Sequence, residues 1–388
     1  MVFMPTALLV SCAMYRYGTA RMPAALKAAG FRVFAICPQN SLLEFSDSIE
    51  GRHSFPPGLS SEDLTVIAAR AAAQLRADIV IACEEHAVRV LNSADRLMER
   101  VPVDSADARS LRIIKAWYGG RCWETVRSQC VQHAADAGIR TPRQIVIDPG
   151  RTGVSDLAGL GTPLLLKWDY SSAGRGVQLA GCPREALELA AQATAGRRED
   201  GAAMPADGRI VAQEFVRGPA ASVSFCALHG RMLEGFAYTT LHHQPEPFGP
   251  ASVIEVGDHP ALIDMARRVV EMTCYSGFGG IDAILPEDGS PPVFLEFNAR
   301  PTQTSHLGGT VGADLCRAMA CALEGRPYSS PYDGSVGRSA AMPVALFPAE
   351  WVRDPDSRYL KSAYHDVPWN ERRMTAAILS ITPQLHPA

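Results

Sequence analysis

The most informative stretch of this chain is residues 279–300, GGIDAILPEDGSPPVFLEFNAR. One apolar segment, residues 281–285, precedes the turn sequence Glu-Asp-Gly-Ser, and a second, residues 293–297, follows it. This pattern predicts two antiparallel strands joined by a turn. Asp282 and Glu296 are equally far from Gly289 in sequence. A hairpin centred on that glycine therefore places the two carboxylates opposite each other.

The predicted hairpin collects ligands that suit a divalent cation. Glu296 and Asn298 are two residues apart, so they share one face of their strand. Facing carboxylates destabilise a strand pair, and a carboxylate inside an apolar strand is costly without compensation. Asp282, Glu296 and Asn298 are therefore predicted to hold Mg²⁺, which proteins bind through few carboxylates beside nucleotide phosphates. The alternative is a solvated hairpin that carries its acids by chance.

The composition is that of an ordinary globular protein. The chain has 388 residues, is 47% apolar and 20% charged, and has a net charge of −4. This length allows two or three domains. No Lys/Arg cluster suggests a surface for nucleic acid or an anionic membrane, so small molecules are the expected partners. No segment approaches transmembrane length, and residues 7–13 are predicted to be a first strand rather than a signal peptide.

The cysteines indicate a cytoplasmic protein. The ten cysteines contain no C-x-x-C pair, and several lie in apolar runs: Cys12, Cys37, Cys83 and Cys226. Reduced, buried thiols are therefore expected rather than a disulfide framework.

The first hundred residues alternate short apolar runs with helical stretches. Strands are predicted at residues 7–12, 33–37 and 79–83, and helices at 23–29 and 62–75. This βαβαβ order is typical of a parallel sheet covered by helices. The loop after the first strand lacks G-x-G-x-x-G, so a dinucleotide site is not expected. Glu84 and Glu85 follow the third strand, where open sheets bind ligands, although capping of the next helix is an equal alternative.

Beyond this region the pattern favours strands with a few helices. Residues 103–110 are expected to be a connector, a loop rich in His and Pro is expected after residue 238, and the tail from Arg326 is expected to be irregular. Further strands are predicted at 164–168, 177–180, 210–216, 222–228 and 232–238, and helices at 122–137, 183–195, 260–273 and 313–323.

A second motif points to phosphate. Lys167 ends the apolar strand Pro-Leu-Leu-Leu-Lys, and the loop Ser-Ser-Ala-Gly-Arg-Gly follows at residues 171–176. A Gly-rich turn can wrap its N–H groups round phosphate oxygens, while a Lys supplies a point charge. A turn that carries Gly and Arg for its geometry alone is the alternative.

The order of these motifs, over residues 6–325, resembles the ATP-grasp superfamily. The specific pieces are Lys167 with its Ser/Gly loop and the segment Glu-Phe-Asn-Ala-Arg at 296–300. The resemblance implies an α/β and α+β fold: a parallel βα pre-ATP-grasp domain, Rossmann-like, over residues 1–105, then a two-lobed ATP-grasp domain over 106–325. A lid subdomain would span about 141–210, and a C-terminal tail, 326–388, would pack on the core.

The resemblance also implies roles for individual residues. Lys167 would contact the ATP phosphates, Asp282, Glu296 and Asn298 would hold Mg²⁺ or its substitute Mn²⁺, and Arg300 would steady the transferred phosphoryl group. The loop closing over the phosphates would use Ser172, Gly174, Arg175 and Gly176, and the adenine hinge would use Gln213, Glu214, Phe215 and Val216.

The sequence departs from the family pattern at two places. The acidic residue that binds ribose in many members is replaced by Pro-Ala-Ala at 219–221, which leaves Glu214 as the substitute. A basic residue usually precedes the helix ending in Gly-Ile-x-x-Pro. Lys115, Arg121 and Arg127 are all candidates for this residue, and Arg127 is the expected ATP contact.

The function implied by the resemblance is ADP-forming carboxylate–amine ligation through an acyl phosphate, with a small carboxylic acid, for example an amino acid, and an amine as substrates. A small-molecule kinase and a nucleotide-binding module without chemistry are the alternatives. Dimerisation is expected from the family.

His242 and His243 in the His/Pro loop, and His306 after Arg300, are candidate substrate residues. Solvated histidines and a structural turn are the alternatives.

Overall fold

The computed structural model describes residues 4–56, 58–118, 126–169, 171, 174–195, 209–330 and 341–385. Within these residues the strands form two sheets of four strands and one of seven. Buried side chains of the N-terminal sheet and of the seven-stranded sheet belong to one continuous apolar core. The domain boundaries given above therefore stay predictions.

The N-terminal sheet is parallel, as the sequence predicts. Its strands are β1 (Thr6–Val10), β2 (Arg32–Pro38), β3 (Gly51–Phe55) and β4 (Ile79–Ala82), in the order β3-β2-β1-β4. β1 and β4 are buried at every residue, which explains their continuous apolar runs. The sequence analysis missed β3 because Gly-Arg-His-Ser-Phe has no apolar run. It is an edge strand with Arg52 and His53 exposed.

Seven helices accompany this sheet in the described residues: α1 (Tyr17–Ala20), α2 (Met22–Ala28), α3 (Ser61–Leu75), α4 (Glu85–Asn92), α5 (Ala94–Met98), α6 (Ala106–Trp117) and α7 (Arg127–Asp136). The connector expected at 103–110 is wrong in its second half. Ser105 accepts a hydrogen bond from the backbone N–H of Ala108 at 3.0 Å, which caps α6. The predicted start of the next helix, at residue 122, lies outside the described residues.

The second sheet is antiparallel; its first three strands fall within the segment predicted as the lid, about 141–210, and the fourth begins at the end of that segment. Its strands are β5 (Gln144–Ile147), β6 (Leu164–Trp168), β7 (Val177–Ala180) and β8 (Ile210–Glu214), in the order β5-β8-β6-β7. Helices α8 (Val154–Leu157) and α9 (Pro183–Ala195) accompany it. The sequence analysis missed β5, a short strand whose side chains are mostly half-buried or exposed.

The central sheet carries the predicted hairpin. Its strand order is β13-β12-β9-β10-β11-β14-β15, and the strands are β9 (Ala220–Leu228), β10 (Arg231–His243), β11 (Ala251–Gly257), β12 (Gly277–Ile284), β13 (Val293–Asn298), β14 (Met342–Ala345) and β15 (Tyr364–His365). Helix α10 (Pro260–Thr273) has the predicted bounds, and α11 (Leu315–Leu323) begins two residues later than predicted. The ring of Phe225 lies 6.3 Å from that of Phe297 and 6.1 Å from that of Tyr275, so a buried aromatic group backs the hairpin.

The C-terminal segment is more regular than expected. Helices α12 (Ala349–Arg353), α13 (Tyr359–Ser362) and α14 (Arg372–Leu385) follow β14, which pairs with β11. The sequence analysis missed α14 because the composition of the tail is rich in Pro and Ser. Met374 and Ile378 of this helix are fully buried and cluster with Leu42. No helix in the described part of the chain combines the length and the apolar character needed to cross a bilayer.

The four cysteines singled out in the sequence are free thiols. Cys37, Cys83 and Cys226 are buried as predicted, whereas Cys12, just after β1, is half-buried. Burial raises the pKa of all four thiols, so they stay protonated at neutral pH.

Candidate active site

Asp282 on β12 and Glu296 on β13 face each other across the hairpin, in the predicted register. The amide Nδ2 of Asn298 donates to Asp282 Oδ2 at 3.0 Å, and the Ser222 hydroxyl donates to Asp282 Oδ1 at 2.7 Å. The register shifts immediately after Asp282, which marks a bulge beside the carboxylates. The hairpin therefore brings together the three side chains predicted to bind a metal.

The two carboxylates lie in a strongly charged environment. Burial, and then the facing Glu296 carboxylate, raise the pKa of Asp282. Glu296 forms an ion pair with Arg127, whose Nη2 lies 3.1 Å from Glu296 Oε2. A cation beside Asp282 would remove the cost of keeping that buried carboxylate ionised.

These residues fit Mg²⁺ shared with nucleotide phosphates. Within the described residues, no group of three or more His, Cys, Asp or Glu side chains is arranged to hold a metal alone. Mg²⁺ beside a nucleotide, however, needs only one or two carboxylates, because phosphate oxygens and waters complete its octahedron. Asp282 and Glu296 meet this requirement. The amide oxygen of Asn298 accepts a hydrogen bond from Arg300 Nη2 at 3.0 Å, so it would have to leave Arg300 to act as a third ligand.

Arg127, at the start of α7, lies against the hairpin and the predicted phosphate loop. Its Nη1 donates to the Trp168 carbonyl and to Ser171 Oγ, both at 3.1 Å. Of the other two basic candidates, Lys115 pairs with Asp95 at 2.6 Å, and Arg121 lies outside the described residues. Of the two candidates that the structure describes, Arg127 is therefore the one that contacts the carboxylate pair.

Lys167 is the penultimate residue of β6 and is buried, with 8% of its surface exposed. Burial, and then the positive charge of Arg127, lower its pKa to about 8, although Glu296 and Asp282 act in the opposite direction. A buried ammonium group that carboxylates only partly compensate is a suitable receptor for phosphate oxygens.

The loop between β6 and β7 is closely packed. A Cβ atom on Gly174, which has φ +74°, would lie 2.0 Å from the Phe248 carbonyl oxygen, so only glycine fits there. A Cβ atom on Gly176 would lie 2.2 Å from the Ser171 side chain. Arg175 is exposed, and Ser172 lies outside the described residues. The loop thus meets the segment that follows β10.

Asp169 anchors the base of this loop to α7. Its buried carboxylate accepts hydrogen bonds from the backbone N–H of Ser128 at 2.9 Å and from the Ser128 hydroxyl at 2.7 Å. Because Ser128 follows Arg127, the same contact fixes the start of α7 and the position of the Arg127 guanidinium.

The predicted hinge lies at the end of β8. Gln213 is 1% exposed, and its Oε1 receives no hydrogen bond from any described residue. Glu214, the substitute for a ribose-binding acid, forms an ion pair with Arg143 at 2.9 Å. Phe215 and Val216 line an open cleft beside the turn of the β12–β13 hairpin. An unpaired buried amide oxygen at this point suits a donor such as an adenine amino group.

Each candidate histidine has a contact partner outside the carboxylate pair. His242 and His243 are the last residues of β10, so the expected loop begins later, at Gln244. The ring of His242 contacts that of Tyr359 at 5.5 Å, and His243 Nδ1 lies 2.7 Å from the Gly249 carbonyl oxygen. His306 faces the buried carboxylate of Asp366 at 3.2 Å.

No protein-family model matches the sequence. The D-alanine–D-alanine ligase of Nitrosospira multiformis is 29% identical over 180 residues, which are 44% of this chain and 55% of that ligase. The chain therefore spans about half the length of the curated relative that it matches.

Two solved structures share most of the architecture. The L-amino acid ligase from Bacillus licheniformis superposes with a TM-score of 0.55 and 16% identity, over 86% of this chain and 78% of its own. The ADP complex of purK, an N5-carboxyaminoimidazole ribonucleotide synthetase, gives a TM-score of 0.61 and 14% identity, over 88% of this chain and 81% of its own. The chain has the ATP-grasp fold. The α/β and α+β fold class predicted from the sequence is confirmed.

The sequence analysis did not foresee the ion pairs that Glu85 forms at the candidate site. Arg300 donates Nε to Glu85 Oε1 at 2.9 Å, and Arg16 lies 3.5 Å from Glu85 Oε2. Burial raises the pKa of Glu85, but Arg300 and then Arg16 act more strongly in the opposite direction and lower it to about 2. The only hint in the sequence was its place after a parallel strand. Glu84, its neighbour, instead accepts hydrogen bonds from Ser11 and Cys12.

Proposed function

We propose that this chain is a Mg²⁺- and ATP-dependent ligase that activates a small carboxylic acid as an acyl phosphate and joins it to an amine, with release of ADP and phosphate. The observation that carries this proposal is the meeting of the Asp282–Glu296 pair with three cations, Arg127, Lys167 and Arg300. Carboxylates for a metal beside cations for phosphates are what phosphoryl transfer needs. The names of two similar proteins, an L-amino acid ligase and a D-alanine–D-alanine ligase, support ligation of amino acids.

The residues of this chain have distinct tasks in the proposed reaction. Lys167 and Arg127 bind phosphate oxygens, and the backbone of Gly174 and Gly176 closes over them. Gln213 offers its unpaired Oε1 to adenine. Asp282 and Glu296 would hold Mg²⁺, which neutralises charge on the phosphates when bound.

The proposed chemistry has two steps. An oxygen of the acid attacks the γ-phosphorus, and the bond between that phosphorus and the ADP oxygen breaks. The amine then attacks the acyl carbon and loses a proton, and phosphate leaves. Arg300, which donates a hydrogen bond to Asn298, would hold the acid and steady the transferred group. Positioning and electrostatics account for the rate, so no covalent enzyme intermediate is required.

ADP formation with defined substrates tests this proposal. We would incubate the protein with ATP and Mg²⁺ and single carboxylic acids, single amines, or pairs of the two. Fast ADP formation that requires both an acid and an amine supports the ligase. Stable phosphorylation of a single acceptor would instead identify a kinase, and ATP binding without turnover would identify a binding module.

Binding of ATP should take up protons near pH 8 because of Lys167. The pKa of its ammonium group is about 8 in the free protein, below the ordinary value, and phosphate oxygens favour the charged form. At pH 8, roughly half a proton should therefore be taken up per ATP, and little at pH 6.5. Affinity for ATP should fall as pH rises above 8.

Titration calorimetry in two buffers of different ionisation enthalpy measures this uptake. The Lys167→Met protein should lose it, and Lys27→Met, on the exposed end of α2, should retain it. Equal uptake in wild type and Lys167→Met would show that another group titrates.

Asp282→Asn should separate stability from activity. The raised pKa of Asp282 means that its ionisation opposes folding: stability is greatest below the unfolded pKa and falls as pH rises through the folded pKa. The neutral amide should therefore leave the melting temperature at pH 7.5 equal to or above that of the wild type. ADP formation should fall about 10- to 100-fold, because the metal loses a ligand charge.

Calorimetric unfolding and an ADP assay check both halves of this prediction, with Asp264→Asn on the exposed face of α10 as the matched control. A strongly destabilised but active variant would contradict it.

A further inference from the structure

Glu85 and Arg300 form an ion pair on the wall of a cleft that Asn298 and Glu296 also line. Glu85 is the first residue of α4, directly after β4 of the N-terminal sheet, and Arg300 follows β13. The pair thus connects the N-terminal sheet to the carboxylate hairpin.

The two oxygens of Glu85 have different surroundings. Oε1 accepts hydrogen bonds from both Nε and Nη2 of Arg300. Oε2 is buried and receives no hydrogen bond from any described residue, although Arg16 Nη2 lies 3.5 Å away. A buried carboxylate oxygen without a hydrogen-bond donor is unfavourable. Oε2 is therefore an acceptor available to a ligand in the cleft.

Arg300 is directed towards the metal-binding hairpin by a chain of hydrogen bonds. Its Nη2 donates to Asn298 Oδ1 at 3.0 Å, and Asn298 Nδ2 donates to Asp282 Oδ2 at 3.0 Å. A carboxylate bound by Arg300 would consequently lie near Asp282 and Glu296. If Asp282 and Glu296 hold Mg²⁺ beside ATP as proposed, this carboxylate would lie next to the phosphates.

We propose that the acid substrate is an α-amino acid bound as a zwitterion, with its carboxylate on Arg300 and its ammonium group on Glu85. This proposal rests on the function proposed above. A simple carboxylate would have to compete with Glu85 for Arg300 and would leave Glu85 with Arg16, 3.5 Å away, as its remaining ion-pair partner among the described residues. A zwitterion replaces both partners at once, because its carboxylate accepts from Arg300 while its ammonium group donates to Glu85.

This arrangement determines which substrate supplies the acyl group. An ammonium group that donates to Glu85 retains its proton and has no lone pair with which to attack. The amino acid on Glu85 therefore forms the acyl phosphate through its carboxylate. A second molecule then supplies the amine, forms the new C–N bond, loses a proton and displaces phosphate. The product carries the first amino acid at its amino end.

Acyl phosphate trapping with hydroxylamine tests this proposal without knowledge of the natural amine. ADP and hydroxamate formation would be measured for each common amino acid and for the same acid without its amino group. With the wild type, removal of the amino group should lower kcat/KM roughly 10- to 100-fold. In Glu85→Gln, kcat/KM for amino acids should fall by a similar factor, mainly through KM, whereas kcat/KM for deaminated acids should fall by a much smaller factor. Glu99→Gln, an exposed residue near the end of α5, should behave as the wild type.

The outcomes distinguish this inference from the proposed function. Equal use of deaminated acids and amino acids by the wild type would overturn the zwitterion proposal and leave the ligase intact. The proposed function itself fails if neither hydroxamate nor ADP forms with any acid. If Glu85→Gln does not fold, the wild-type comparison and Glu85→Asp, which retains the charge, still decide the matter.

Discussion

Glu296→Gln is expected to form ADP about 100-fold more slowly than the wild type, because the metal contributes several kcal/mol to transition-state stabilisation. The substitution keeps the shape of the side chain and removes its charge. Glu296 faces Asp282 across the hairpin and pairs with Arg127 at 3.1 Å. Without that charge, Mg²⁺ would lose a charged ligand and Arg127 would lose its ion-pair partner.

The fold should survive this change, because Arg127 retains its hydrogen bonds to the Trp168 carbonyl and to Ser171. Circular dichroism should confirm this. Glu271→Gln, an exposed carboxylate at the end of α10, is the matched control and should retain full activity. Wild-type turnover by a folded Glu296→Gln protein would refute the assignment of this carboxylate to the metal.

Asp366→Asn should lower the free energy of unfolding by about 3–5 kcal/mol, because it breaks a buried ion pair and leaves one charge without its partner. The side chains of Arg21 and Asp366 are 4% and 1% exposed. Asp366 also accepts from the backbone N–H of Phe347 and lies 3.2 Å from His306. The pair thus fastens the C-terminal segment to the start of the chain and to the loop after Arg300.

Chemical denaturation of the single and double variants measures this effect. Arg21→Met combined with Asp366→Leu should recover much of the loss, because apolar side chains often replace a buried ion pair at little cost. Asp356→Asn, which is exposed in the same segment, should have no effect. A single variant that loses less than about 1 kcal/mol would show that this pair contributes little.

The hairpin and the end of the strand before the Ser/Gly loop could be predicted from the sequence because their information is local. The symmetry of Asp282 and Glu296 about Gly289 fixed the register, and the apolar strand before Lys167 fixed the end of β6. The secondary-structure prediction failed where a strand or a helical turn has a polar sequence. β3 is an edge strand without an apolar run, and the polar first turn of α6 looked like a connector.

The pairs formed across the fold could not be predicted. Glu85 and Arg300 are 215 residues apart, and Arg21 and Asp366 are 345 apart. A single sequence does not show which distant charged residues form ion pairs, since each side chain alone is compatible with a solvated surface. For the same reason the partner of His306 could not be foreseen. The choice among Lys115, Arg121 and Arg127 likewise needed the packing of α7 against the hairpin.

Transfer of a carboxylate oxygen from the acid to phosphate tests whether ligation proceeds through an acyl phosphate. We would supply acids with ¹⁸O in the carboxylate, together with ATP, Mg²⁺ and an amine, and analyse phosphate and coupled product by mass spectrometry. Ligation through an acyl phosphate predicts one ¹⁸O atom in the released phosphate for each amide formed. Unlabelled phosphate, or phosphate released without a coupled product, would contradict it.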